Sequence, residues 1–279
     1  MKICRSISEI KQFRQSLEEN GVKNVGFVPT MGALHEGHLS LINQAVSQNE
    51  AVVVSIFVNP TQFLPNEDLA AYPRKEAADL AMCETAGVAA VFLPQAEEIY
   101  SDDEPKILAS KRLSSLFEGA SRAGHFDGVC AVLTKLFSLI RPSKAYFGKK
   151  DAQQVAVVQN LVARLFLPLQ IVPCELVRAK DGLALSSRNA YLSSEEREVA
   201  LSLSRALKEA AQLVARGVTD AQSLNEKMSQ ILAAAGAQKD YTAVVDREFN
   251  ELSHAKLHET ILLIAARVGK TRLIDNLWI

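Results

Sequence analysis

The chain has 279 residues, of which 48% are hydrophobic and 23% charged, and its formal net charge is -1 at pH 7. This length suits one large domain or two ordinary domains with full hydrophobic cores. A charge balance so close to zero gives no electrostatic basis for binding nucleic acid or an anionic membrane, so we expect neither partner.

The first predicted helix spans residues 6–21. Ser6 and Glu9 have the spacing of a capping box, in which two side chains accept hydrogen bonds from backbone N–H groups at a helix N-terminus. Gly21 readily adopts the left-handed conformation that ends many helices. Both signals predict the same helix.

The following segments alternate between short apolar runs and longer amphipathic runs. The run 51–58 is continuously apolar and β-branched, which predicts a strand buried on both faces of a parallel sheet. In the helix before it we expect Leu39, Ile42 and Val46 on one face. In chain order we predict strand 24–30, helix 37–50, strand 51–58, helix 74–87, strand 88–94, helix 128–140, strand 143–148, helix 151–166 and strand 169–177.

This alternation predicts right-handed βαβ units and an α/β fold with a doubly wound parallel sheet. In such a fold, ligands bind beyond the carboxyl ends of the strands. We therefore look for functional residues directly after the predicted strands.

The pattern changes after about residue 177, which predicts a domain at 1–177 and a smaller α+β domain at 178–279. A polar loop leads into a long amphipathic helix whose N-terminus carries a second capping box, Ser193 and Glu196. The remaining predicted elements are a helix at 220–236 and strands at 240–249, 260–269 and 271–279, the last two joined as a hairpin at Gly269-Lys270.

The first chemical motif is "TMGALHEGHLSL", residues 30–41, between a predicted strand and helix. His35 and His38 would lie where a helix N-terminus presents free N–H groups and positive dipole. Gly32 and Gly37 would let a bulky ligand approach the backbone. Ordinary packed histidines are an equally good interpretation of this motif alone. Zinc is less favoured, because H-E-x-x-H places its histidines four apart and these are three apart.

The second motif, "SIFVNPTQF", places Asn59, Pro60 and Gln62 after the most apolar strand. The two amides satisfy turn hydrogen bonds in one interpretation. In the other, Gln62 offers a neutral donor and acceptor to a small polar substrate. The motif alone favours the turn.

The third motif, "YFGKKDAQQ", begins at the end of a predicted strand. Asp151 as an N-cap with solvated lysines is one interpretation. The other is a nucleotide site in which Gly148 offers its N–H, Lys149 or Lys150 contacts phosphate, and Asp151 contacts ribose or a metal. The spacing is not that of a P-loop. Two glutamines follow on the next helix and face different ways: Gln153 and Gln154.

The fourth motif, "DGLALSSRN", combines the hydroxyls of Ser186 and Ser187 with the five-donor guanidinium of Arg188. These residues either cap the following helix or form a mobile strip over a triphosphate. Taken together, four polar motifs at predicted strand ends or their loops describe one cleft that binds ATP.

These motifs, with "RAGHFDGV" at 122–129, resemble in order and spacing those of the pantothenate synthetases, or pantoate–β-alanine ligases. That family belongs to the nucleotidyltransferases with an H-x-G-H signature and a Rossmann-like catalytic domain. The resemblance implies a ligase that condenses (R)-pantoate with β-alanine through pantoyl adenylate, using ATP and Mg²⁺. It also implies a homodimer. Because the polar segment 179–189 joins the two predicted domains, we expect the smaller domain to act as a lid.

The resemblance also implies roles for individual residues. His38 would be the catalytic residue. From their chemistry we also expect His35, Lys150 and Arg188 to be catalytic, by placing positive character around the phosphates, and Asp151 is a candidate ligand of ATP-bound Mg²⁺. Gln62, Gln154 and Asn59 would bind pantoate and β-alanine. The implied ATP site comprises Met31, Gly32, Ala33, Leu34, His35, Glu36, Gly37, His38, Gly148, Lys149, Lys150, Asp151, Val177, Leu185, Ser186, Ser187 and Arg188.

The chain departs from the family pattern at three positions. Lys149 stands where many members have an acidic residue, and we expect it to add positive charge beside the phosphates. Leu185 stands where many have Met, and Ala123 where a Pro is frequent. Within "RAGHFDGV", a structural turn and a substrate contact are equally good interpretations of His125 and Asp127.

Other functional classes remain open at this point. They are a different H-x-G-H nucleotidyltransferase, a non-catalytic nucleotide-binding domain of the electron-transfer flavoprotein kind, and a metal-dependent hydrolase. Four scattered cysteines, no signal-peptide core and no apolar run long enough to cross a bilayer predict a cytoplasmic protein with buried, reduced thiols.

Overall fold

The computed structural model describes residues 1–65 and 67–279, which form two compact units. The first unit comprises residues 1–148 and 153–174, and the second comprises residues 149–152 and 175–279. Each unit has its own sheet and its own hydrophobic cluster.

The first unit is built on a six-stranded parallel sheet with the order β1-β4-β3-β2-β5-β6. The chain moves outward from β2 through β3 to β4 on one side and from β5 to β6 on the other, which confirms the predicted doubly wound fold. The strand order reverses between β2 and β5, where such sheets bind ligands. The strands are β1 (Lys2–Cys4), β2 (Val25–Thr30), β3 (Ala51–Ile56), β4 (Ala90–Phe92), β5 (Lys144–Gly148) and β6 (Gln170–Cys174).

Helices pack on both faces of this sheet. Phe27 of β2 meets Phe137 edge to face on one side, with ring centroids 6.2 Å apart. Val28, the next residue, joins a cluster with Ile42 and Cys83 on the other side. The helices are α1 (Ile7–Glu19), α2 (Glu36–Gln48), α3 (Glu76–Thr85), α4 (Ala96–Ile99), α5 (Lys111–Ser114), α6 (Phe117–Ser121), α7 (His125–Ile140) and α8 (Ala152–Arg164).

The first unit confirms the predicted capping box of α1 and the burial of β3 on both faces. Strand β1 and the short helices α4, α5 and α6 were not predicted, because β1 has no apolar run and none of the three helices has a side-chain cap. On α2, Ile42 and Val46 of the predicted face pack in one cluster, but the set of buried residues is not the predicted one. Leu41, Ile42 and Ala45 are its buried residues, whereas Leu39 and Val46 are only half-buried. The small side chain of Ala45 was not counted in a stripe of large apolar residues.

The second unit packs two helices against a three-stranded antiparallel sheet with the order β7-β8-β9. Its core includes Leu207, Leu224 and Ile264, all fully buried. The predicted capping box at Ser193 is present, and Gly269, with φ of 56°, forms the turn between β8 and β9. The elements are α9 (Ser194–Ala215), α10 (Ala221–Ala234), β7 (Gln238–Val245), β8 (Ile261–Val268) and β9 (Thr271–Trp278).

All four cysteines are buried, as predicted, and none of them forms a disulfide. Burial raises the pKa of the Cys83 thiol to about 12, and a nearby Asp79 acts in the same direction. The pKa of Cys130 is raised to about 12 for the same main reason. These thiols therefore stay protonated at neutral pH.

Helix α7 packs its first turns against the 3-10 turn Pro60–Gln62, which follows β3. Gly128 makes this approach possible, because a Cβ at this position would lie 2.4 Å from the carbonyl oxygen of Thr61 and 2.7 Å from the backbone nitrogen of Gln62. Any side chain at residue 128 would push the turn away from the helix.

His125, the first residue of α7, fixes the same turn. Its Nδ1 lies 2.7 Å from the carbonyl oxygen of Gln62, which only accepts, so Nδ1 carries the proton. Its Nε2 accepts from Arg122 at 3.0 Å, and Arg122 forms a two-pronged ion pair with Glu67 at 2.6 Å for both contacts. Burial, and then the Arg122 charge, lower the pKa of His125 to about 4. The structure thus favours a structural turn over a substrate contact for this histidine.

We predict that His125 makes the fold sensitive to acid. A histidine in the unfolded chain has a pKa near 6.5. As the pH falls, the unfolded state therefore binds a proton near pH 6.5, whereas His125 in the native state binds it only near pH 4. Its stabilisation is therefore complete above about pH 6.5 and is lost as the pH falls toward 4. Between pH 7 and pH 4 the free energy of unfolding should fall by about 3 kcal/mol more in wild type than in His125→Asn.

Urea unfolding at several pH values measures this difference. Asparagine keeps an N–H for the Gln62 carbonyl but does not titrate. Gln159→Asn, at an exposed position of α8, provides the control, since it removes no titratable group and should keep the wild-type pH dependence. Equal pH slopes for wild type and His125→Asn would contradict the prediction.

Candidate active site

The two histidines of the first motif form the N-terminal cap of α2. His35 is the N-cap residue, and its Nδ1 accepts from the backbone N–H of Gly37 at 3.1 Å. The Nδ1 of His38 accepts from the backbone N–H of His35 at 3.3 Å. This is a capping box made of imidazoles in place of the usual hydroxyl and carboxylate. The expected free N–H groups are therefore partly occupied, since those of His35 and Gly37 have acceptors.

This cap determines the tautomer of both rings. Each Nδ1 uses its lone pair to accept, so a neutral ring carries its hydrogen on Nε2. The two rings lie against each other with centroids 4.1 Å apart and a tilt of 38°. A helix N-terminus with a pair of imidazole N–H donors suits a phosphate better than a metal cation, which needs lone pairs.

The backbone before these histidines is held by Asp79 of α3. The carboxylate of this buried residue accepts from the N–H groups of Ala33 and Leu34, both at 2.8 Å. Burial raises its pKa, and the two N–H groups oppose that rise. Gly32 and Ala33 adopt positive φ angles of 83° and 49° in the loop. The N–H groups of Ala33 and Leu34 thus have an acceptor within the protein.

A cavity of about 260 Å³ opens beside this loop in the first unit. Of the residues predicted for the site, Met31 and Gly32 line it. Apolar residues such as Phe57 and Leu93 form much of the remaining wall.

Asn59 is a buried residue whose amide is fully used within the protein. Its Nδ2 donates to the carbonyl oxygen of Gly128 at 3.0 Å and to Oε1 of Gln62 at 3.1 Å. Its Oδ1 accepts from the Tyr100 hydroxyl at 2.7 Å and from the Thr61 hydroxyl at 3.0 Å. The structure therefore favours the turn interpretation for this residue.

The same contact orients the amide of Gln62. Because Asn59 donates to Oε1, the Nε2 group of Gln62 points the other way and lies 3.1 Å from the sulfur of Met31. A thioether is a weak acceptor. The Met31 sulfur is thus a weak partner for the N–H donors of Gln62, and a stronger acceptor could replace it.

Gln153 and Gln154 face different ways, as predicted. Gln153 is buried, donates to the carbonyls of Leu113 and Leu116 at 2.7 and 2.9 Å, and accepts from the N–H of Glu118 at 3.0 Å. It anchors the loops around α5 and α6. Gln154 is half-buried on the next position of α8.

In the second unit, residues Lys149–Asp151 form a 3-10 turn. Lys149 pairs with Glu175, and its ammonium also lies 5.0 Å from the ring centroid of Trp278. Glu175 supplies a negative charge next to Lys149. It therefore offsets the positive charge that we expected Lys149 to add. Lys150 lies 3.4 Å from the carboxylate of Asp151.

The fourth motif also lies in the second unit. Ser186 caps the 3-10 turn Ser187–Tyr191, with its hydroxyl accepting from the N–H of Arg188 at 3.3 Å. The N–H of Leu185 donates to the carbonyl of Val177 at 3.1 Å. The long helix that follows has its own cap, Ser193, so the serines of the motif do not cap it.

Three residues that position these segments were not predicted from the sequence: Asp79, Asp275 and Asn276. Asp79 shares a helix face with Cys83, four residues on, and both are buried. Asp275 and Asn276 are adjacent buried polar residues of β9, between the apolar pairs Leu273-Ile274 and Leu277-Trp278. A polar side chain at a position that the pattern predicts to be buried was the available signal in each case.

No group of three or more potential metal ligands occurs among residues 1–65 and 67–279. Over the same residues, no helix is long and apolar enough to cross a membrane.

Comparison with known proteins identifies the family. The family model for pantoate-beta-alanine ligase matches residues 2–278. The pantothenate synthetase of Campylobacter fetus is 54% identical over 279 residues, covering all of both chains. That of Helicobacter pylori is 46% identical, again over the full length of both.

Solved structures agree with this assignment. A pantothenate synthetase from Thermus thermophilus superimposes with a TM-score of 0.93 at 40% identity, covering 100% of this chain and 99% of the other. The pantoate-beta-alanine ligase from Francisella tularensis superimposes with a TM-score of 0.84 at 36% identity, covering 100% and 97%. Fold, motifs and similarity over the whole length lead to one conclusion: this chain belongs to the pantoate–β-alanine ligase family.

Proposed function

We propose that the chain condenses (R)-pantoate with β-alanine to give pantothenate, with ATP converted to AMP and pyrophosphate. The pantoate carboxylate attacks the α-phosphorus of ATP, pyrophosphate leaves, and pantoyl adenylate forms. The amine of β-alanine then attacks the acyl carbon, and AMP leaves. Family membership supports this reaction, as does the Francisella relative, which is described as a complex with beta-gamma ATP and beta-alanine.

The capped histidine pair is the observation that carries the proposal. A carboxylate that attacks a phosphate brings negative charge toward negative charge, so the barrier is largely electrostatic. His35 and His38 have their Nε2–H groups fixed by the Nδ1 contacts, and they stand at a helix N-terminus. Such preorganised donors stabilise the charge that develops on phosphate oxygens without forming a covalent bond.

We propose that all four motifs, together with Val177, contribute residues to ATP binding. Arg188 and Lys150 would supply positive charge to the phosphates, because both carry donors suited to phosphate oxygens. The full proposed set is Met31, Gly32, Ala33, Leu34, His35, Glu36, Gly37, His38 and Gly148 from the first unit, and Lys149, Lys150, Asp151, Val177, Leu185, Ser186, Ser187 and Arg188 from the second.

Pantoate must be held while its carboxylate remains nucleophilic. We propose that Gln62 and Gln154 hold it through neutral hydrogen bonds, since a bidentate arginine would occupy the lone pairs that attack. The amide orientation of Gln62, with N–H groups facing a weak thioether acceptor, supports this role. The amide atoms of Asn59 are hydrogen-bonded within the protein. We therefore propose that Asn59 positions Gln62 and does not itself bind the substrate.

Mg²⁺ fits the donor set only as an ion carried by the nucleotide. Mg²⁺ bound to ATP usually takes one or two protein carboxylates and keeps several waters. Asp151, whose carboxylate is about half exposed at 48%, is the residue that we propose as a ligand. The ion would supply charge neutralisation at the phosphates.

Three further features complete the proposal: a homodimer, a cytoplasmic location and closure of the smaller domain as a lid. Closure would protect the acyl adenylate from water. Hydrogen exchange at residues 180–190, with and without ATP and pantoate, tests the lid.

Isotope transfer tests the proposed reaction itself. With pantoate labelled by ¹⁸O in its carboxylate, one labelled oxygen should appear in AMP, because the attacking oxygen stays on phosphorus when the amine displaces AMP. AMP without label would rule out the adenylate.

We predict that His38→Ala lowers the single-turnover rate of adenylation about a hundredfold or more, while ATP binding weakens less, because one preorganised donor is lost. His38→Asn is the informative companion, since its side-chain oxygen can still accept from the N–H of His35. It keeps the cap and loses the outer donor, so it should be as slow as His38→Ala. An asparagine variant with near wild-type adenylation would refute the role.

We predict that Gln154→Ala raises the KM for pantoate by about ten- to a hundredfold and leaves the KM for ATP nearly unchanged. Loss of one hydrogen-bond partner in a closed site costs about 1–3 kcal/mol. Gln159→Ala, exposed on the same helix, is the matched control and should behave as wild type. Initial-rate kinetics with each substrate varied decide between these outcomes, and unchanged pantoate kinetics in Gln154→Ala would remove this residue from the site.

A further inference from the structure

Strand β9 carries two adjacent polar residues, Asp275 and Asn276, that are 4% and 3% exposed. Neighbouring residues of a strand point to opposite faces of the sheet. Burial of both therefore means that each face of β9 is covered at this point by polar partners, because buried polar groups are almost always hydrogen-bonded.

Asn276 is bound to the turn that contains Lys150, the lysine that we propose contacts phosphate. Its Nδ2 donates to the carbonyl oxygens of Lys149 and Lys150, at 2.9 and 2.8 Å. Its Oδ1 accepts from the indole N–H of Trp278 at 3.0 Å. Both amide hydrogens thus hold two consecutive peptide groups of a three-residue turn, and Trp278 fixes which way the amide faces.

Asp275 is bound to the other nucleotide segment of the second unit through Arg178. The guanidinium and the carboxylate pair at 2.6 and 2.9 Å, and the same guanidinium donates to the carbonyl of Gly182 at 3.1 Å. Arg178 also forms an antiparallel bridge with Ala184. The ion pair thereby fixes the loop that leads directly into Leu185–Arg188.

We propose that Asp275 and Asn276 are positioning residues of the nucleotide site: Asn276 sets the position of Lys150, and Asp275, through Arg178, sets that of the Ser186–Arg188 segment. This inference rests on the proposed function, which gives Lys150 and Arg188 their contacts with phosphate. Neither Asp275 nor Asn276 itself needs to touch the nucleotide.

The chemistry of the turn explains why it needs an external anchor. The three-residue 3-10 turn is followed directly by α8, and each carbonyl oxygen of the turn has a second lone pair that can accept from a side chain. Lysine has a long flexible stem, so the position of its ammonium depends on a fixed backbone. Two donors from one planar amide fix adjacent carbonyls together, which restrains the backbone more than a single hydrogen bond would.

The test is a double-mutant cycle that combines Asn276→Leu with Lys150→Met. Asn276→Leu alone should lower kcat/KM for ATP by about ten- to a hundredfold, as small displacements in an active site do, and should change the KM for pantoate less than about twofold. In the Lys150→Met background the same substitution should cost less than about threefold, because the group that it positions is already absent. Thr271→Val, also buried on β9, is the control and should leave kcat/KM for ATP unchanged.

Equal losses from Asn276→Leu in the two backgrounds would overturn the proposal and leave Asn276 a purely structural residue. Should Asn276→Leu not fold, Asn276→Asp replaces it. The aspartate can still accept from Trp278 but has no N–H for the two carbonyls. Failure of the proposed function is recognised separately: wild type would show no pantoate-dependent exchange of pyrophosphate into ATP, or Lys150→Met would retain wild-type kinetics for ATP.

Discussion

Two backbone N–H groups at the start of α2 have imidazole nitrogens as their acceptors, and the chemistry of the site follows from this choice. A serine or aspartate cap would satisfy the same N–H groups, but it would present no donor outward. An imidazole has a second nitrogen on the far side of the ring, so His35 and His38 can each accept from the helix with Nδ1 and donate with Nε2. The same two side chains thus cap the helix N-terminus and present hydrogen-bond donors beyond it.

The loops beyond the parallel strands share a second constraint. Backbone groups in these loops have no neighbouring strand to pair with, so buried side chains must satisfy them. Asp79 does so for the loop after β2, and Asn59 and His125 for the turn after β3. Asn276 does so for the turn after β5. In each case a residue with no contact to substrate in our proposal determines where a substrate-binding residue lies.

The sequence predicted the elements well where local signals were complete. Capping boxes at Ser6 and Ser193 and the apolar run of β3 depend on neighbours in the chain, and all were recovered. Strand β1 was missed because it forms a strand only by pairing with β4. The contacts of Asn276 join residues more than a hundred positions apart, so no local pattern contains them.

The same division between local and distant signals applies to the predicted site. Motif spacing led to the predictions for the histidines, the glutamines and the lysine turn, because these lie next to strand ends. Spacing could not distinguish Gln153, which anchors loops, from Gln154. It also could not show that the amide of Asn59 is hydrogen-bonded within the protein. Nor could it show that Glu175 compensates the charge of Lys149. Those distinctions depend on burial and on distant partners.

The protonated, enclosed thiols have a practical consequence. Thiolates, not thiols, react with maleimides, iodoacetamides and mild oxidants, and access matters as much as ionisation. All four native cysteines are buried, and burial keeps Cys83 and Cys130 protonated at neutral pH. A single cysteine introduced on an exposed face, for example at Gln159, would therefore take a fluorophore or spin label selectively, without replacing any native residue first.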